Sequence, residues 1–206
     1  MTDSTFSIAG PSNTHLNAQI QITGSKSETN RLLLLQALFS GLKIDNISNS
    51  DDAAAMQKGV GLRKGTVDVF HAGTAMRFLT AFFATQEGVD ILLTGSERMQ
   101  QRPIGILVAA LQKLGADIQY EAQQGFPPLR IKGKNLEISE VSLDAGVSSQ
   151  YISALLLVAP SLKNGLRLHL KGHITSVPYI KMTLSLLQQI GVSTRFEDQT
   201  IEVQPA

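Results

Sequence analysis

Residues 24–31 read Gly24-Ser25-Lys26-Ser27-Glu28-Thr29-Asn30-Arg31, and four leucines follow at once at 32–35. The glycine and the hydroxyl side chains are typical of a helix start, where four backbone N–H groups have no partner within the helix. Lys26 and Arg31 are unusual there, because the N-terminal end of a helix is already positive and disfavours cations. An anion bound at the helix start would stabilise both charges. The alternative is a surface helix with two solvated basic residues, and this stretch alone leaves both readings open.

The stretch resembles a nucleotide-binding P-loop but lacks two of its glycines. Ser25 occupies the position before the lysine where that motif needs glycine, and Ile20 occupies the position of the first glycine. The sequence therefore argues against a nucleoside triphosphate site.

Apolar helices decide the fold class. The runs at 32–35, 78–83 and 152–159 are apolar on nearly all sides, which is typical of buried helices. The segment 15–23 instead alternates apolar and polar residues, as in a half-buried strand. We therefore expect buried helices with half-exposed sheets outside them, the inverse of an ordinary α/β barrel.

Internal similarity predicts how the elements are grouped. Leu111-Gln112-Lys113-Leu114-Gly115 is echoed by Leu187-Gln188-Gln189-Ile190-Gly191, in each case after a helix opened by proline and before a strand pair. We predict three β-α-β-α-β-β units that begin near residues 16, 67 and 136, at spacings too irregular for a solenoid. The predicted helices are 26–39, 51–56, 73–85, 103–114, 148–158 and 178–190. The predicted strands are 6–8, 15–23, 42–47, 67–70, 89–93, 117–122, 129–132, 136–143, 166–170, 192–196 and 200–203.

Composition excludes several functions. The 206 residues carry a net charge of +1, with 5% aromatic residues and no Trp, which argues against nucleic-acid partners. The absence of Cys excludes disulfides and thiolate chemistry and fits a reducing compartment. The sequence has no apolar signal region and no apolar run of membrane-spanning length. We therefore expect a cytoplasmic protein with no membrane partner.

Cations and hydroxyl groups recur at the other predicted helix starts. Arg77 follows Gly73 and Thr74, and Arg102 precedes Pro103 with Arg98 four residues earlier. The later helix starts carry Ser148, Ser149, Gln150, Ser176 and Tyr179. Because parallel repeats would point these starts the same way, the pattern favours one anion-binding face. The alternative is a set of helix caps and solvated charges.

Five motifs follow one another along the chain. They are Gly-Ser-Lys-Ser-x-x-Asn-Arg at 24–31, Ala72-Gly73-Thr74-Ala75-Met76-Arg77, Arg98-Met99-x-x-Arg102-Pro103-Ile104, Val147-Ser148-Ser149-Gln150 and Ser176-x-Pro178-Tyr179-Ile180. In their residues and in their order, these motifs resemble those of the 5-enolpyruvylshikimate-3-phosphate synthase family. The resemblance implies an inside-out α/β barrel of three β-α-β-α-β-β units as one domain of a two-domain enzyme. That enzyme transfers the enolpyruvyl group of phosphoenolpyruvate to the 5-hydroxyl of shikimate 3-phosphate, in the shikimate pathway, without metal or organic cofactor.

The resemblance also implies roles for individual residues. Shikimate 3-phosphate would contact Lys26, Ser27, Arg31, Ser148, Ser149, Gln150, Ser176 and Tyr179. Phosphoenolpyruvate would contact Lys26, Gly73, Arg102 and Gln150, and Lys26 would share in catalysis. His71, Thr74 and Arg77 are expected to line the site, and glyphosate is the expected inhibitor, crowded by any side chain at position 73.

The sequence departs from the family in three ways. His71 stands where the family usually has Asn, and Phe78 stands where it often has Pro. Family members are also about twice as long, so the resemblance implies a second domain that would supply the acid and base groups. We accordingly expect residues 14–206 to form the three-unit domain, residues 1–13 to belong with the second domain, and this chain to be inactive alone.

Two other functions remain open. The related UDP-N-acetylglucosamine enolpyruvyl transferase has the same architecture, but its active-site loop usually carries a Cys that this sequence lacks. A non-catalytic anion-binding domain is the other alternative, because only half of the enzyme's length is matched.

Overall fold

Two sheets and a group of buried helices make up the described part of the chain, residues 7–10, 17–146 and 148–206 of a computed structural model. The helices are α1 (Lys26–Leu38), α2 (Asp51–Val60), α3 (Gly73–Thr85), α4 (Glu97–Gln100), α5 (Gly105–Lys113), α6 (Ser149–Val158) and α7 (Val177–Gln189). The strands are β1 (Lys64–Asp68), β2 (Asp90–Thr94), β3 (Asp117–Tyr120), β4 (Leu129–Lys132), β5 (Glu140–Asp144), β6 (Leu166–Lys171), β7 (Thr194–Glu197) and β8 (Thr200–Val203).

The two sheets have the same topology. The first has strand order β1-β2-β4-β3 and the second β5-β6-β8-β7. In each sheet the first two strands are parallel and the later pairs are antiparallel. Each sheet follows the chain order β-α-β-α-β-β, so two of the predicted repeat units are present with all four of their strands.

The central helices form the core. Every residue of α3 except Thr74 is buried, and α6 is buried from Tyr151 to its end. These two helices contact each other and α1. Phe78 and Phe83 are completely buried, and each contributes about 1.5–3 kcal/mol by leaving water. Buried residues alternate with more exposed ones along β2, β5 and β6, so each sheet has one buried face.

Local sequence explains why α1 begins where it does. Ser25 is the N-cap residue, and its side chain accepts a hydrogen bond from the N–H of Glu28. Glu28 lies in the first turn, where a negative charge suits the helix dipole. Gly24 lies so close to the carbonyl group of Asn46 that a Cβ would be 3.0 Å from its carbonyl carbon, so glycine is needed there.

Most predicted helices and strands are confirmed, with small shifts at their ends. Helix α3 has its predicted bounds, 73–85. The polar turn expected at 94–101 contains the short helix α4. Pro103 does not open a helix, because α5 starts at Gly105, after Ile104.

The strands of the first predicted unit are wrong. Residues 17–23 and 42–47 form no strand, and Ile20 and Ile22 are 80% and 75% exposed. An alternating segment becomes a strand only with a hydrogen-bonding partner, and no strand of the described residues pairs with either segment. The three-unit barrel is therefore not seen as such in the described residues, where the first unit consists of α1 and α2 alone.

The remaining N-terminal predictions are largely untested. The strand expected at 6–8 is not formed at residues 7 and 8, and residue 6 lies outside the described residues. The predicted boundary at 13/14 also lies outside them. In the described part of the chain, no helix is long and apolar enough to cross a membrane.

Candidate functional site

A polar cleft opens at the starts of the three central helices. Its volume is about 310 Å³. It is lined by residues of α1, α3, α6 and α7: Lys26, Ser27, Arg31, Thr74, Phe78, Ser149, Gln150 and Tyr179. We call it the α1 cleft. Its walls carry two cationic side chains but no carboxylate among the described residues.

Arg31 is the buried cation of this cleft. It is 3% exposed, and its guanidinium donates hydrogen bonds to four neutral oxygens. The acceptors are Thr183 Oγ1 at 2.8 Å, the Ser27 carbonyl at 2.8 Å, Ser153 Oγ at 3.0 Å and the Tyr179 carbonyl at 3.4 Å. Its Cζ also lies 5.4 Å from the ring centre of Phe78.

The charge of Arg31 lacks a countercharge. Among the described residues, no carboxylate lies within 4.0 Å of its guanidinium. Burial is the main cause that lowers the pKa of Arg31 to about 10. A buried cation held only by neutral oxygens costs free energy that an incoming anion would recover.

Lys26 lies at the other side of the cleft, at the start of α1. Its Nζ is 3.8 Å from Oδ2 of Asp52, while Oδ1 of Asp52 accepts the backbone N–H of Thr74 at 3.0 Å. Asp52 thus connects the starts of α1 and α3. Half of the Lys26 side chain is exposed, so this ion pair is weak and leaves the ammonium group accessible.

Gln150 joins α6 to α3. Its Nε2 donates to Thr74 Oγ1 at 3.4 Å, and its backbone N–H donates to Ser148 Oγ at 3.2 Å. Ser148 is therefore occupied as the N-cap of α6. Ser149 and the amide of Gln150 line the cleft beside it.

A second cavity lies next to the start of α3. It has a volume of about 540 Å³ and is lined by His71, Arg98, Met99 and Arg102. We call it the Arg102 cavity. Neither of its arginines forms a salt bridge within the described residues. A Cβ added to Gly73 would lie 2.9 Å from Cζ of Arg102, so the guanidinium packs directly over the glycine.

Hydrogen bonds fix the wall of the Arg102 cavity. Nδ1 of His71 lies 2.7 Å from Ser96 Oγ, which also accepts the N–H of Met99 at 3.3 Å as the N-cap of α4. The ring of His71 packs against Phe70, with 3.8 Å between ring centres. The imidazole is thereby held at the edge of the cavity.

Arg77 anchors the segment that carries Arg102. It is 4% exposed and donates to the carbonyl of Gly73 at 3.2 Å and to that of Pro103 at 2.9 Å. Tyr151 donates to the same Pro103 carbonyl at 2.7 Å. Burial is the main cause that lowers the pKa of the Arg77 guanidinium. Arg77 lines neither cavity, so it supports the site only through its hydrogen bonds to the carbonyls of Gly73 and Pro103.

The structure brings most of the predicted site residues together. Six of the eight residues expected at shikimate 3-phosphate line the α1 cleft: Lys26, Ser27, Arg31, Ser149, Gln150 and Tyr179. Ser148 caps α6, and Ser176 is exposed in a left-handed conformation (φ 56°) before α7, so neither lines it. Thr74 also lines the α1 cleft, Gly73 lies beneath the Arg102 guanidinium, and His71 and Arg102 line the Arg102 cavity.

Sequence reasoning missed the residues that hold this site from inside the core. Ser153 and Thr183 are completely buried hydroxyls that bond to Arg31, and Tyr151 anchors Pro103. The available signal was one small hydroxyl residue, Ser153 in α6 and Thr183 in α7, within a largely apolar helical face. Asp52 was predicted only as part of a helix start.

The fold and the two cavities define an α/β protein with cationic clefts at the starts of its central helices. Residues 63–206 match the family model described as EPSP synthase (3-phosphoshikimate 1-carboxyvinyltransferase). The chain belongs to the EPSP synthase family, and the resemblance found in its motifs is confirmed.

Individual relatives agree with this assignment. A protein named 3-phosphoshikimate 1-carboxyvinyltransferase from Bacteroides fragilis is 48% identical, over 97% of this chain and 48% of its own length. Relatives of the same name from Marinomonas and Vibrio cholerae are 42% and 38% identical, over 85% and 93% of this chain. The chain spans about half the length of the curated relatives it matches.

Solved structures support the fold. An EPSP synthase from Acinetobacter baumannii matches with a TM-score of 0.77 at 20% identity, over 91% of this chain and 47% of that one. A second structure of EPSP synthase from the same organism gives a TM-score of 0.73 at 19% identity.

Proposed function

We propose that this chain is the half of a 3-phosphoshikimate 1-carboxyvinyltransferase that binds shikimate 3-phosphate. The reaction transfers the enolpyruvyl group of phosphoenolpyruvate to the 5-hydroxyl of shikimate 3-phosphate and releases phosphate. The observation that carries the proposal is the buried, uncompensated guanidinium of Arg31 in a cleft lined by five other residues of the expected substrate set.

Shikimate 3-phosphate would bind in the α1 cleft. Its phosphate and carboxylate need cations and N–H donors, and its ring hydroxyls need hydrogen-bonding side chains. Arg31 and Lys26 supply charge, and the hydroxyls of Ser27, Ser149 and Tyr179 supply polar contacts. The starts of α1 and α6 add backbone N–H groups without helical partners. Ser148 and Ser176 would lie at the margin of the bound molecule.

Phosphoenolpyruvate would occupy the space between the α1 cleft and the Arg102 cavity. Arg102 packs over Gly73, whose lack of a side chain lets the guanidinium lie close to the backbone, where it would meet the bound anion. Lys26 and Gln150 line the α1 cleft, within reach of both substrates. His71 would line the phosphoenolpyruvate side.

The cations would have two effects on the reaction. They offset the repulsion between two anionic substrates, and they stabilise charge that develops in the transition state. Lys26 would contribute to both effects as the cation shared by the two substrates. The resemblance implies that no metal or organic cofactor takes part.

The resemblance implies acidic residues for the proton transfers. No carboxylate of the described residues lines either cavity, and general acid–base groups typically contribute about 10²–10⁴-fold. We therefore propose that these groups belong to a second domain and that the 206-residue chain alone binds substrate without turnover. Residues 1–13 would belong with that second domain.

A third sheet would complete the fold. Residues 17–23 and 42–47 have the composition of strands but no strand partner among the described residues. We propose that residues 14–206 form an inside-out α/β barrel of three units, in which these two segments belong to the third sheet. Slow hydrogen exchange at their amides would support this arrangement, and fast exchange would count against it.

Glyphosate is the expected inhibitor of the assembled enzyme. It is an anion of similar size to phosphoenolpyruvate, and it would compete for the Arg102 guanidinium at Gly73. A side chain at position 73 would crowd it.

A calorimetric titration of the chain with shikimate 3-phosphate tests the proposal. We expect saturable binding that is lost in Arg31→Ala and Ser149→Ala and kept in Arg195→Ala, which removes an exposed cation of β7. UDP-N-acetylglucosamine is the control ligand. Binding of that ligand instead would favour the related transferase, and equal binding of several unrelated anions would favour a non-catalytic domain.

A further inference from the structure

We propose that Thr183 and Ser153 are positioning residues, which hold the guanidinium of Arg31 at the wall of the α1 cleft in one orientation. The inference rests on the proposed function, because it concerns how Arg31 meets the phosphate or carboxylate of shikimate 3-phosphate. Neither residue lines the cleft.

The contacts come from two different helices. Nε of Arg31 donates to Thr183 Oγ1 of α7 at 2.8 Å, and Nη2 donates to Ser153 Oγ of α6 at 3.0 Å. Both hydroxyl side chains are 0% exposed, so water does not compete for either contact. The partners lie 152 and 122 positions away from Arg31 in the sequence, so the guanidinium is fixed only when three helices have packed.

The hydroxyl groups are themselves oriented. A hydroxyl has one hydrogen to donate and two lone pairs to accept with. Thr183 Oγ1 accepts from Arg31, so its own hydrogen is directed to the carbonyl of Tyr179 or to Ser153 Oγ, each at 3.0 Å. Ser153 Oγ in turn accepts from Nη2. Arg31, Thr183 and Ser153 thus form one buried network in which each hydroxyl meets the guanidinium with an oxygen lone pair.

Neutral acceptors suit this position better than carboxylates. A carboxylate would orient the guanidinium of Arg31 equally well, but it would neutralise the positive charge that attracts an anionic substrate. Two hydroxyls and two carbonyls fix the geometry and leave the positive charge uncompensated.

A donor count shows what remains for the ligand. Arginine has five N–H donors, one on Nε and two on each Nη. The bonds to Thr183, Ser153, Ser27 and the carbonyl of Tyr179 engage four of them. One N–H of Nη1 is left without a partner among the described residues, and the side chain lines the cleft. The network therefore presents one charged donor in a fixed direction.

The test compares two substitutions at position 183. Thr183→Val keeps the shape but removes the acceptor for Nε, whereas Thr183→Ser keeps the acceptor. We expect Thr183→Val to bind shikimate 3-phosphate about 10- to 100-fold more weakly, and Thr183→Ser to bind like the unsubstituted chain. Ser153→Ala should weaken binding in the same direction.

Thr80→Val is the matched control. Thr80 is also 0% exposed, and its Oγ1 bonds to the carbonyl four residues earlier, as that of Thr183 does, but it does not contact Arg31. Comparison of the two valine variants therefore distinguishes a stability loss, which both should share, from a binding loss, which only Thr183→Val should show. Equal binding by Thr183→Val and the unsubstituted chain, or equal weakening in Thr80→Val, would overturn the inference.

A ligand-free measurement separates failure of this inference from failure of the proposed function. We expect the Nε–H of Arg31 to exchange slowly with solvent in NMR spectra of the unsubstituted chain and Thr183→Ser, and quickly in Thr183→Val. Fast exchange in all three would overturn the positioning role. Slow exchange without any binding of shikimate 3-phosphate would instead overturn the proposed substrate.

Discussion

Gly73→Ala should weaken the binding of phosphoenolpyruvate without lowering the stability of the fold. Gly73 is the first residue of α3 and is not among the glycines with positive φ, so alanine fits its backbone. Alanine is a better helix former by up to about 1 kcal/mol. The new Cβ would overlap with the guanidinium of Arg102, but Arg102 is exposed and can move aside cheaply. We expect unchanged or higher stability.

Binding should suffer because of the same displacement. The guanidinium of Arg102 would leave its place over position 73, where we propose that phosphoenolpyruvate binds. Loss of one hydrogen bond to a charged group costs about 1.5–3 kcal/mol, which corresponds to about 10- to 100-fold weaker binding. Binding of shikimate 3-phosphate in the α1 cleft should change little, because Gly73 does not line that cleft.

Urea unfolding and calorimetric titration with both substrates measure these effects. Gly61→Ala is the control, because Gly61 ends α2 and its new Cβ would meet no atom closer than 3.9 Å. It should match the stability of Gly73→Ala without a change in binding. A destabilised Gly73→Ala variant, or one that binds phosphoenolpyruvate as well as the Gly61→Ala variant does, would refute the reasoning.

Two further predictions concern the charges of the α1 cleft. In a Lys26→Arg background, affinity for shikimate 3-phosphate should fall as the pH rises through about 10, because burial lowers the pKa of Arg31 to about 10 and only its charged form attracts the phosphate. Titrations on both sides of that pH check this, and constant affinity would contradict it. Asp52→Asn should tighten binding of the same ligand, because it removes the negative charge 3.8 Å from Lys26 while its amide oxygen can still accept the N–H of Thr74. Its cost in stability, measured by urea unfolding, should stay below about 1 kcal/mol, and weaker binding would count against a cationic role for Lys26.

The central helices could be predicted because their signals are local. The apolar runs, the glycines that follow them and, for α1 and α6, the serine caps lie within about four turns of each helix, so a short window contains the information. Helix α3 was predicted at its observed bounds, and α1 within one residue. The repeated units could be predicted for the same reason. Segments 111–115 and 187–191 lie at the ends of α5 and α7, and each of these helices precedes the last two strands of its sheet.

The strands at 17–23 and 42–47 could not be predicted reliably, because a strand depends on its partner. The alternation of Ile20 and Ile22 with glutamines indicates which face of a strand would be buried, but it does not indicate whether a neighbouring strand exists. Here both isoleucines are exposed. The strands of the second and third units were predicted correctly because their partner strands lie within the described residues.

The burial of Arg31 shows a different limit. Its position at a helix start predicts an anion site but gives no indication that the side chain is buried. The guanidinium is instead enclosed by α6 and α7, which no local pattern around residues 24–35 encodes. Such a contact between distant helices depends on packing, so the sequence indicated the charge but not its surroundings.

Two of the three central helices carry an arginine in their first two turns that bonds back to its own helix. Arg31 and Arg77 each bond to the carbonyl four residues earlier, in Ser27 and Gly73 respectively, at the starts of α1 and α3. In α6, Ser153 is the fifth residue of the helix, as Arg77 is in α3, whereas Arg31 is the sixth residue of α1. A third arginine there would add a buried cation with no carboxylate to pair with, and it would remove the acceptor for Nη2 of Arg31. The smaller hydroxyl of Ser153 avoids the added charge and accepts a hydrogen bond from the guanidinium of Arg31.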